Sequence, residues 1–592
     1  MKKVILFIIF WGIFFSEYAQ SLNIDVSRYP FSCRGSYLAV FKLTDHTDWG
    51  IEDPKEGLFI RNVSRRTLYD YMIRMDIIEN DSVVKPDIIT TPDKMTLTTS
   101  GGRVEICFET PTILRIRTHR LKVKLLPTKS SFILKNGEKH LRLLNGPAND
   151  FYYMFSSLAG TMRYKGVHFA GKEKTHPNLY EELSVMLEPN TSGDGEFALE
   201  EFKSEWVPKE YDKPFDLCVS DRKQEFTDWE NRFSLNGAAP IQTVKLAAYV
   251  SWSCLVRPEG EMKREGMYMS KNWMNMIWSW DHCFNAMAMS SVDSEVSWNQ
   301  MMCIFDHQND LGALPDGFDD QKEYWGIVKT PIHGWALQYL MKSCDWLSTD
   351  HLSQIYEPLC RWTDFWFKYR DYDGDGIPQY NHSYESFDDT TPLDAGFPLE
   401  APELCTFLIL QMDALSDVAH ILGKADTAEI WKKRSEILVD KMLTKLWNGK
   451  RFVAKCLDTG EWNQGTIDFL QYVPFLLGER LPSEVRRKMV SSFKASGLIT
   501  SFGIATESPQ SPFFDPDSYT RGSIWAPVNI FIIDGLMKSR EAELAEQLAE
   551  VYCKHMIKNG FPERFDAHDG GIRSDPEYTW TSSVFLLLHN IK

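Results

Sequence analysis

The sequence predicts a multidomain protein of mixed class, with an N-terminal β-sandwich and a C-terminal toroid of helical hairpins. Three observations support this prediction. The chain has 592 residues, which is too long for one ordinary core. Short β-rich runs separated by turn residues fill its first third. Beyond residue 240 the apolar residues instead recur at intervals of three and four, which is the period of a helical face.

The first twenty residues are predicted to be a secretory signal peptide. Two lysines precede an unbroken apolar run, Val4–Phe15, and small and polar residues follow. The run is short for a membrane span, which needs about 20 residues. We therefore expect cleavage near Ala19 or Gln20, secretion to the periplasm, and no membrane insertion after cleavage. An N-terminal anchor helix is the alternative.

Residues 21–225 are predicted to form the β-sandwich domain, and residues 226–240 a linker. The runs most typical of strands are Leu58–Val63, Arg103–Phe108, Ile113–Arg117 and Leu121–Leu125. Ser100–Gly102 stands between two runs and is predicted to form a hairpin turn. Two packed sheets are the natural arrangement for many short strands of this kind.

Residues 241–592 are predicted to form about six helical hairpins, which close into a toroid. One apolar face consists of Leu404, Leu408, Met412, Leu415, Ala419 and Leu422. Gly423 is predicted to end this helix, and Asp426–Glu429 to form a capping box for the next one. An open helical solenoid is the alternative, but the sequence lacks the short repeats that solenoids carry.

Composition restricts the partners of this protein. The formal net charge of −17 and the isoelectric point near 5.4 argue against nucleic acid or an anionic membrane, because both require a basic face. The eleven cysteines are scattered without C-x-x-C pairs, which favours buried thiols over a disulfide framework. Aromatic residues reach 13% and include 19 tryptophans, which indicates either an aromatic core or surfaces that stack on sugar rings.

Carboxylates stand beside aromatic residues in several loops between the predicted helices. Trp280 and Asp281 come first, in the run W-S-W-D-H-C-F-N. Glu385, Asp388 and Asp389 crowd into five residues, and crowded carboxylates share protons, which suits a proton donor. A solvated acidic turn is the alternative interpretation. The other candidates in such loops are Trp335, Arg521, Trp525, Glu563 and Trp580.

These motifs follow one another in a specific order. The series W-D-x-x-F-N, G-x-L-P-D, P-I-H-G-W-A, E-S-x-x-D, R-G-x-x-W and P-E-x-F, with a W-T-S end, resembles glycoside hydrolase family 63. Trehalases and mannosylglycerate hydrolases are relatives of this family. The resemblance covers residues 240–592, and it is the order of the six motifs that makes it specific. It implies an inverting glycosidase with an (α/α)₆ barrel, a six-hairpin glycosidase toroid.

The resemblance also implies which carboxylates carry the reaction. In such enzymes one carboxylic acid protonates the leaving oxygen and a carboxylate activates water. Asp389 resembles the general acid, because the family's E-S-G-x-D falls on Glu385–Asp389. Phe387 stands where the family has glycine, so Asp388 remains an alternative acid. Glu563 resembles the general base.

Glu577 is the competing candidate for the base, placed second because it is farther from the Gly-Phe-Pro turn that precedes Glu563. The resemblance further implies that Trp280, Asp281, Arg521 and Trp525 hold the non-reducing sugar. The full set of expected substrate contacts is Trp280, Asp281, Trp335, Glu385, Asp388, Arg521, Trp525 and Trp580.

The predicted function is therefore inverting hydrolysis of α-linked glucosides in oligosaccharides, by a monomer without a required cofactor. The alternatives are a mannosylglycerate- or trehalose-type hydrolase on the same fold, a polysaccharide lyase, and a non-catalytic glycan-binding protein. A lyase needs a Tyr/His proton-transfer pair and a basic cleft, which the acidic motifs disfavour. A binding protein would have lost a catalytic carboxylate, and both candidates are present.

One acidic loop has the start of a calcium-binding motif. Asp371, Asp373 and Asp375 occupy the first, third and fifth positions, and Gly376 the sixth, as in an EF-hand loop. The twelfth position is His382 rather than glutamate, so the motif is incomplete. The loop predicts either a structural Ca²⁺ site or a tight acidic turn without metal.

Overall fold

The computed structural model describes residues 21–44, 56–64, 72–127, 131–145, 151–165, 183–233, 239–460 and 465–589. The predicted signal peptide, residues 1–20, lies outside them. The chain divides into two compact units. The N-terminal unit comprises Met1–Phe233, Pro240–Arg257 and Ser270–Asn275, and the C-terminal unit comprises Ser234–Ala239, Pro258–Met269 and Met276–Lys592.

The N-terminal unit is built from two antiparallel sheets. Its strands are β1 Leu38–Leu43, β2 Gly57–Asn62, β3 Met72–Glu79, β4 Ser82–Val84, β5 Asp87–Thr90, β6 Met95–Thr98, β7 Arg103–Thr110, β8 Ile113–His119, β9 Lys122–Pro127, β10 Ser131–Asn136, β11 His140–Asn145, β12 Tyr152–Ala159, β13 Thr161–Lys165, β14 Ser184–Glu188 and β15 Asp194–Phe202. One sheet has the order β1-β2-β3-β9-β14-β13, with β4 on β3, and the other β10-β11-β12-β15-β8-β7-β6-β5.

The strands form where apolar side chains alternate. In β9, Val123 and Leu125 are buried, whereas Lys122 and Lys124 lie on the opposite face and are partly exposed. The four strand runs predicted from the sequence coincide with β2, β7, β8 and β9 and are confirmed. The predicted hairpin turn is also confirmed, since the Thr99 N–H donates to the Gly102 carbonyl (3.0 Å) between β6 and β7.

Two helices complete the N-terminal unit, α1 Phe215–Glu230 and α2 Ile241–Cys254. The Trp229 indole donates to the Ala248 carbonyl (3.0 Å), and the Tyr249 hydroxyl donates to the Pro30 carbonyl (2.7 Å). The sequence assigned residues from 241 onward to the helical domain, whereas these contacts group α2 with the sheets. Periodicity shows that a segment is helical, but it does not show which core receives the apolar face.

The C-terminal unit is mainly helical. Its helices are α3 Asp281–Met289, α4 Ser294–Met302, α5 His333–Ser343, α6 Thr349–Tyr369, α7 Pro402–Ile421, α8 Ala425–Lys445, α9 Ser483–Lys494, α10 Ala526–Lys538, α11 Ala542–Asn559 and α12 Thr579–His589, together with a 3₁₀ segment Phe469–Arg480. The loops contain short strands that form small three-stranded sheets: Ile277–Trp278, Gly317–Phe318 and Glu323–Tyr324; Gln379–Tyr380, Leu399–Glu400 and Lys455–Cys456; Ser523–Trp525, Arg564–Asp566 and Ile572–Arg573.

Six of the helical segments contact one another in succession. The order is α3, α5, α7, the 3₁₀ segment, α10 and α12, and α12 in turn contacts α3. Asn285 of α3 makes the contact between α12 and α3 specific. Its side-chain Nδ2 donates to Thr579 Oγ1 (3.1 Å), and its side-chain Oδ1 accepts from Ser583 Oγ (2.8 Å). The other helices of the C-terminal unit each pack against one or two of these six segments.

Helix α7, one of the six inner segments, is long, apolar and mostly buried. By length and composition it could cross a membrane, but 72% of its most apolar window is buried inside the protein, as in a core helix. Gly423 follows it with φ +75°, and the prediction that this glycine ends the helix is confirmed. The predicted capping box is wrong: α8 begins at Ala425, so Asp426 already lies in its first turn, and Lys424 precedes it without a side-chain cap.

Candidate active site

The candidate residues lie in the segments that precede the inner helical segments. Trp280 precedes α3, Lys329 lies shortly before α5, and Trp525 precedes α10. Glu563 lies in the loop between α11 and α12, and the acidic loop Glu385–Asp389 precedes α7. Asp281 is the first residue of α3, where the positive end of the helix dipole stabilises negative charge.

Three of the predicted tryptophans form one aromatic cluster. The ring centroids of Trp280 and Trp580 are 5.9 Å apart, and those of Trp525 and Trp580 are 5.3 Å apart. Phe387 packs edge-on against Trp280 at 4.7 Å, so the residue that replaces the family's glycine is part of this wall. Trp335 packs behind this cluster, against Phe284 (5.9 Å) and Phe531 (5.0 Å), and its indole donates to Asp534 Oδ2 (2.8 Å).

Glu563 is fully buried next to this cluster. Tyr519 donates its hydroxyl proton to Glu563 Oε1, and the Asp575 N–H donates to Oε2 (3.3 Å). Burial raises the pKa of Glu563 to about 7, against the lowering effect of the Tyr519 hydrogen bond. The Trp580 indole donates to the Glu563 carbonyl (3.2 Å) and thereby connects the carboxylate to the aromatic cluster.

Glu577 is also fully buried. Its N–H donates to Asp575 Oδ1 (3.1 Å), and Asp575 in turn donates its own N–H to Glu563. The two candidate bases are therefore connected through one residue. Glu563 accepts from the Tyr519 hydroxyl and adjoins the tryptophans through Trp580.

Asp281 is a second buried carboxyl group at the site. Burial raises its pKa to about 8, while a hydrogen bond from the Tyr578 hydroxyl (3.0 Å) and the charge of Lys329 lower it. The charges of Glu563 and Asp388 also act on the pKa of Asp281 in the raising direction. Asp281 is thus largely protonated at neutral pH and is able to donate a hydrogen bond as well as accept one.

The acidic loop presents its two aspartates differently. Asp388 Oδ1 accepts from the buried Lys329 ammonium (2.7 Å), which also donates to the Tyr384 carbonyl (2.6 Å). Asp389 has φ +61°, a strained conformation for a non-glycine residue, and 57% of its side chain is exposed. Strain of this kind costs about 1–3 kcal/mol and is concentrated at functional sites.

Arg521 and Glu385 hold this loop in place. The Arg521 guanidinium forms a two-fold ion pair with Asp394 (2.8 and 2.9 Å) and donates to the Asp389 carbonyl (3.1 Å). Glu385 forms a two-fold ion pair with Arg370 (2.7 and 3.0 Å). The substrate contacts predicted for Arg521 and Glu385 stay predictions, but their charged groups already have partners within the protein.

Sequence reasoning missed Lys329, Tyr519 and Tyr578. The signal was present for Tyr519, which stands two residues before Arg521 in the same motif, and for Tyr578, which stands two residues before Trp580. Lys329 stands two residues before the start of the P-I-H-G-W-A motif at Pro331. Each was overlooked because its partner is a carboxylate distant in sequence.

A separate loop contains Asp371, Asp373 and Asp375. It brings one carboxylate oxygen of each residue within 4.8 Å of the others. Glu400 lies beside it, because its strand pairs with Gln379. Glu400 is 1% exposed, and among the described residues neither of its carboxylate oxygens has a hydrogen-bond partner. Burial and the charges of Asp373 and Asp371 raise its pKa to about 7.

These features define a class of protein. The site combines a buried carboxyl group of pKa near neutrality with further carboxyl groups and a wall of indoles on a mainly helical framework. This combination is typical of a glycoside hydrolase. Residues 274–581 match the family described as "Mannosylglycerate hydrolase MGH1-like glycoside hydrolase domain". The chain belongs to this family and is a glycoside hydrolase of the family 63 type.

Individual relatives are distant. The mannosylglycerate hydrolase of Rubrobacter radiotolerans is 20% identical over 397 residues, which cover 52% of this chain and 89% of that protein. The mannosylglycerate hydrolase of Thermus thermophilus is 33% identical over 78 residues, covering 13% of this chain and 19% of that protein.

Solved structures share the fold. A family 63 mannosylglycerate hydrolase from Thermus thermophilus, in complex with Tris, has a TM-score of 0.50 at 18% identity, covering 58% of this chain and 98% of its own. A bacterial glucoamylase complexed with acarbose has a TM-score of 0.62 at 10% identity, covering 97% of this chain and 95% of its own. The second likeness extends over both the β-sheet and the helical regions of the chain.

Proposed function

We propose that this protein is an inverting hydrolase of α-linked glucosides in oligosaccharides. The observation that carries the proposal is Glu563, a fully buried carboxyl group with a pKa of about 7 that is held by Tyr519 beside three tryptophans. A general base is most effective when its pKa lies near the working pH. We also propose that the protein acts outside the cytoplasm as a monomer.

In this proposal Glu563 takes a proton from the attacking water, while Asp389 protonates the leaving oxygen. Tyr519 donates to Glu563 Oε1 and the Asp575 N–H donates to Oε2, and in this proposal Oε2 accepts the water proton through its remaining lone pair. Inversion requires the two carboxyl groups to be about 6.5–9.5 Å apart when substrate is bound, which leaves room for this water. Protonated Asp281 supplies a hydrogen-bond donor to a sugar hydroxyl.

The succession of inner segments supports an (α/α)₆ barrel for the helical region. Six segments contact their neighbours in order, and α12 returns to α3 through Asn285. An open solenoid would leave its first and last helices apart. Closure brings the loops that precede the inner segments to one another, and these loops contain the candidate carboxylates.

The charge distribution favours a neutral substrate. Asp281, Asp388, Asp389 and Glu563 all belong to this region. The nearby cations already have partners, because Lys329 is paired with Asp388 and the Arg521 guanidinium with Asp394. An anionic leaving group would face the acidic loop of Asp388 and Asp389, whose neighbouring Lys329 and Arg521 are already engaged in ion pairs, whereas a neutral sugar would need no further cation.

The second candidate is hydrolysis of mannosylglycerate. It is favoured by the family description and by the names of the relatives from Rubrobacter and Thermus. The leaving group in that reaction is glycerate, which carries a carboxylate. The two candidates therefore differ in the charge that the site must accept.

Hydrolysis of a panel of α-glucosyl disaccharides should release β-glucose first. An inverting displacement by water produces the opposite anomer, which proton NMR detects before mutarotation mixes the two forms. Initial release of α-glucose would contradict inversion. Cleavage of mannosylglycerate in the same panel, with no cleavage of glucosides, would overturn the substrate while leaving the reaction class intact.

We also propose that Asp371, Asp373, Asp375 and Glu400 hold a structural Ca²⁺. Hard oxygen ligands suit this ion, and Glu400 supplies from a neighbouring strand the acidic ligand that position 12 of the loop lacks. Glu400 is buried with both carboxylate oxygens lacking a hydrogen-bond partner among the described residues, and the cations already near this acidic group are Lys455, which acts on Glu400, and Lys445, which pairs with Asp375. The ion would neutralise these carboxylates and stabilise the loop that leads to Asp389.

Calcium is expected to raise the melting temperature of metal-stripped protein by roughly 2 °C or more. Glu400→Gln should remove most of this rise, because it deletes the buried charged ligand. Glu436→Gln on the surface of α8 is the matched control and should keep it. Equal melting temperatures of the wild type in calcium and in chelator would rule out the site.

A further inference from the structure

Three consecutive residues, Tyr519–Arg521, contact both sides of the site. The Tyr519 hydroxyl donates to Glu563 Oε1, on the side of the base. Thr520 Oγ1 donates to the Asp388 carbonyl, and Arg521 Nε donates to the Asp389 carbonyl (3.1 Å), on the side of the acidic loop. One short segment therefore connects the base to the backbone of both candidate acids.

The segment is itself held firmly. The Tyr519 ring packs edge-on against Trp525, with centroids 4.8 Å apart, and the Arg564 guanidinium lies 5.2 Å from the same ring. The Asp515 N–H donates to the Arg521 carbonyl (2.7 Å). Gly522 follows with φ +149°, and a Cβ there would lie 2.5 Å from the Phe514 ring, so only glycine fits.

We propose that Tyr519 is a positioning residue for the general base and that Thr520 fixes the acidic loop relative to it. This inference rests on the proposed function of Glu563. The Tyr519 hydroxyl holds Oε1 and the Asp575 N–H holds Oε2, so the two bonds together fix the orientation of the carboxylate that activates the water. A donated hydrogen bond also stabilises the ionised carboxylate, which is the form that a base requires.

The proposal predicts a specific change with pH. The groups that face Glu563 are the Tyr519 hydroxyl, the N–H and carboxylate of Asp575, Arg564, Asp281 and Tyr578. Tyr519 is the one whose side chain donates directly to the Glu563 carboxylate. Without that bond the pKa of Glu563 rises, so the ionised base is lost at a higher pH. The acid limb of activity must then move upward, toward neutral pH or beyond.

The test is the pH dependence of kcat/KM for full-length Tyr519→Phe, on whichever glycoside the wild type hydrolyses. The acid limb should move up by roughly one pH unit, and the rate well above the limb should fall by less than the rate below it. Tyr472→Phe is the matched control, because it removes another tyrosine hydroxyl, bonded to Ser492 Oγ (2.9 Å), far from Glu563 in the chain. Its acid limb should coincide with that of the wild type.

A Tyr519→Phe enzyme whose rate falls equally at every pH would overturn the positioning role, since a merely structural loss has no reason to move the limb. Thr520→Val provides a second variant: it should lower kcat about tenfold without moving the limb, and Thr520→Ser should restore the rate. An unchanged kcat in Thr520→Val would overturn its role. Full activity of Glu563→Gln would instead show that Glu563 is not the base. That result concerns the proposed function and is distinguishable from a failure of the Tyr519 proposal.

Discussion

Glu563→Gln is expected to reduce hydrolysis by about 10²–10⁴-fold, because an amide cannot accept the proton of the attacking water. Glutamine has nearly the same shape and can still accept the hydrogen bond from Tyr519, so the variant should stay folded. Rates of product release and near-UV circular dichroism, measured on the same samples, separate loss of catalysis from loss of structure.

The same substitution should stabilise the protein at alkaline pH. The folded-state pKa of Glu563 is raised from 4.5 to about 7, so the folded protein holds its proton more tightly than the unfolded chain. Stability is therefore lost as the pH rises from about 4.5 to about 7, and the cost of the buried charge is fully present above that range. The melting temperature of Glu563→Gln should exceed that of the wild type at pH 8 and approach it at pH 5.

Glu577→Gln is the matched control for this variant. It changes a neighbouring carboxyl group that is equally buried and that is connected to Glu563 through Asp575. We expect it to keep substantially more activity than Glu563→Gln. The reverse result, with Glu563→Gln active and Glu577→Gln inactive, would transfer the role of the base to Glu577.

Asp389→Asn is expected to lower the hydrolysis of disaccharides by about 10²–10⁴-fold and to have a much smaller effect on α-glucosyl fluoride. Fluoride leaves without protonation, so a general acid contributes little to that reaction. The comparison of the two substrates therefore reports on proton donation rather than on folding or sugar binding. It is the measurement that distinguishes an acid from a residue that merely supports the loop.

Asp388→Asn provides the contrast within the same loop. It removes the partner of the buried Lys329 ammonium, so we expect it to destabilise the protein and to impair both substrates to a similar degree. If Asp388→Asn instead loses activity on disaccharides but keeps it on the fluoride, while Asp389→Asn loses activity on both substrates, Asp388 is the acid. The strained backbone of Asp389 would then serve only to orient its neighbour.

Local patterns were sufficient to predict four strands, the helix before Gly423 and several candidate site residues, but not the helix Phe215–Glu230, which falls in the predicted sandwich and linker. Alternating apolar residues identified β9, and spacing by three and four identified α7, because each pattern reflects which side of one element is buried. The motif order located Trp280, Trp525 and Trp580, which the structure brings into one cluster. The capping box before α8 failed because Lys424, with no side-chain cap, occupies the position that the pattern assigned to Asp426.

The sequence by itself determined the strand-rich and helix-rich regions, the family and the set of candidate carboxylates. Only the tertiary structure brought Glu400 beside Asp371 and Asp373, Tyr519 onto Glu563, and Lys329 onto Asp388. It also grouped α2 with the sheets and returned α12 to α3. The physical reason is that periodicity and motifs record how a segment is buried, whereas the partners of a buried charge are decided by packing between segments that lie far apart in the chain.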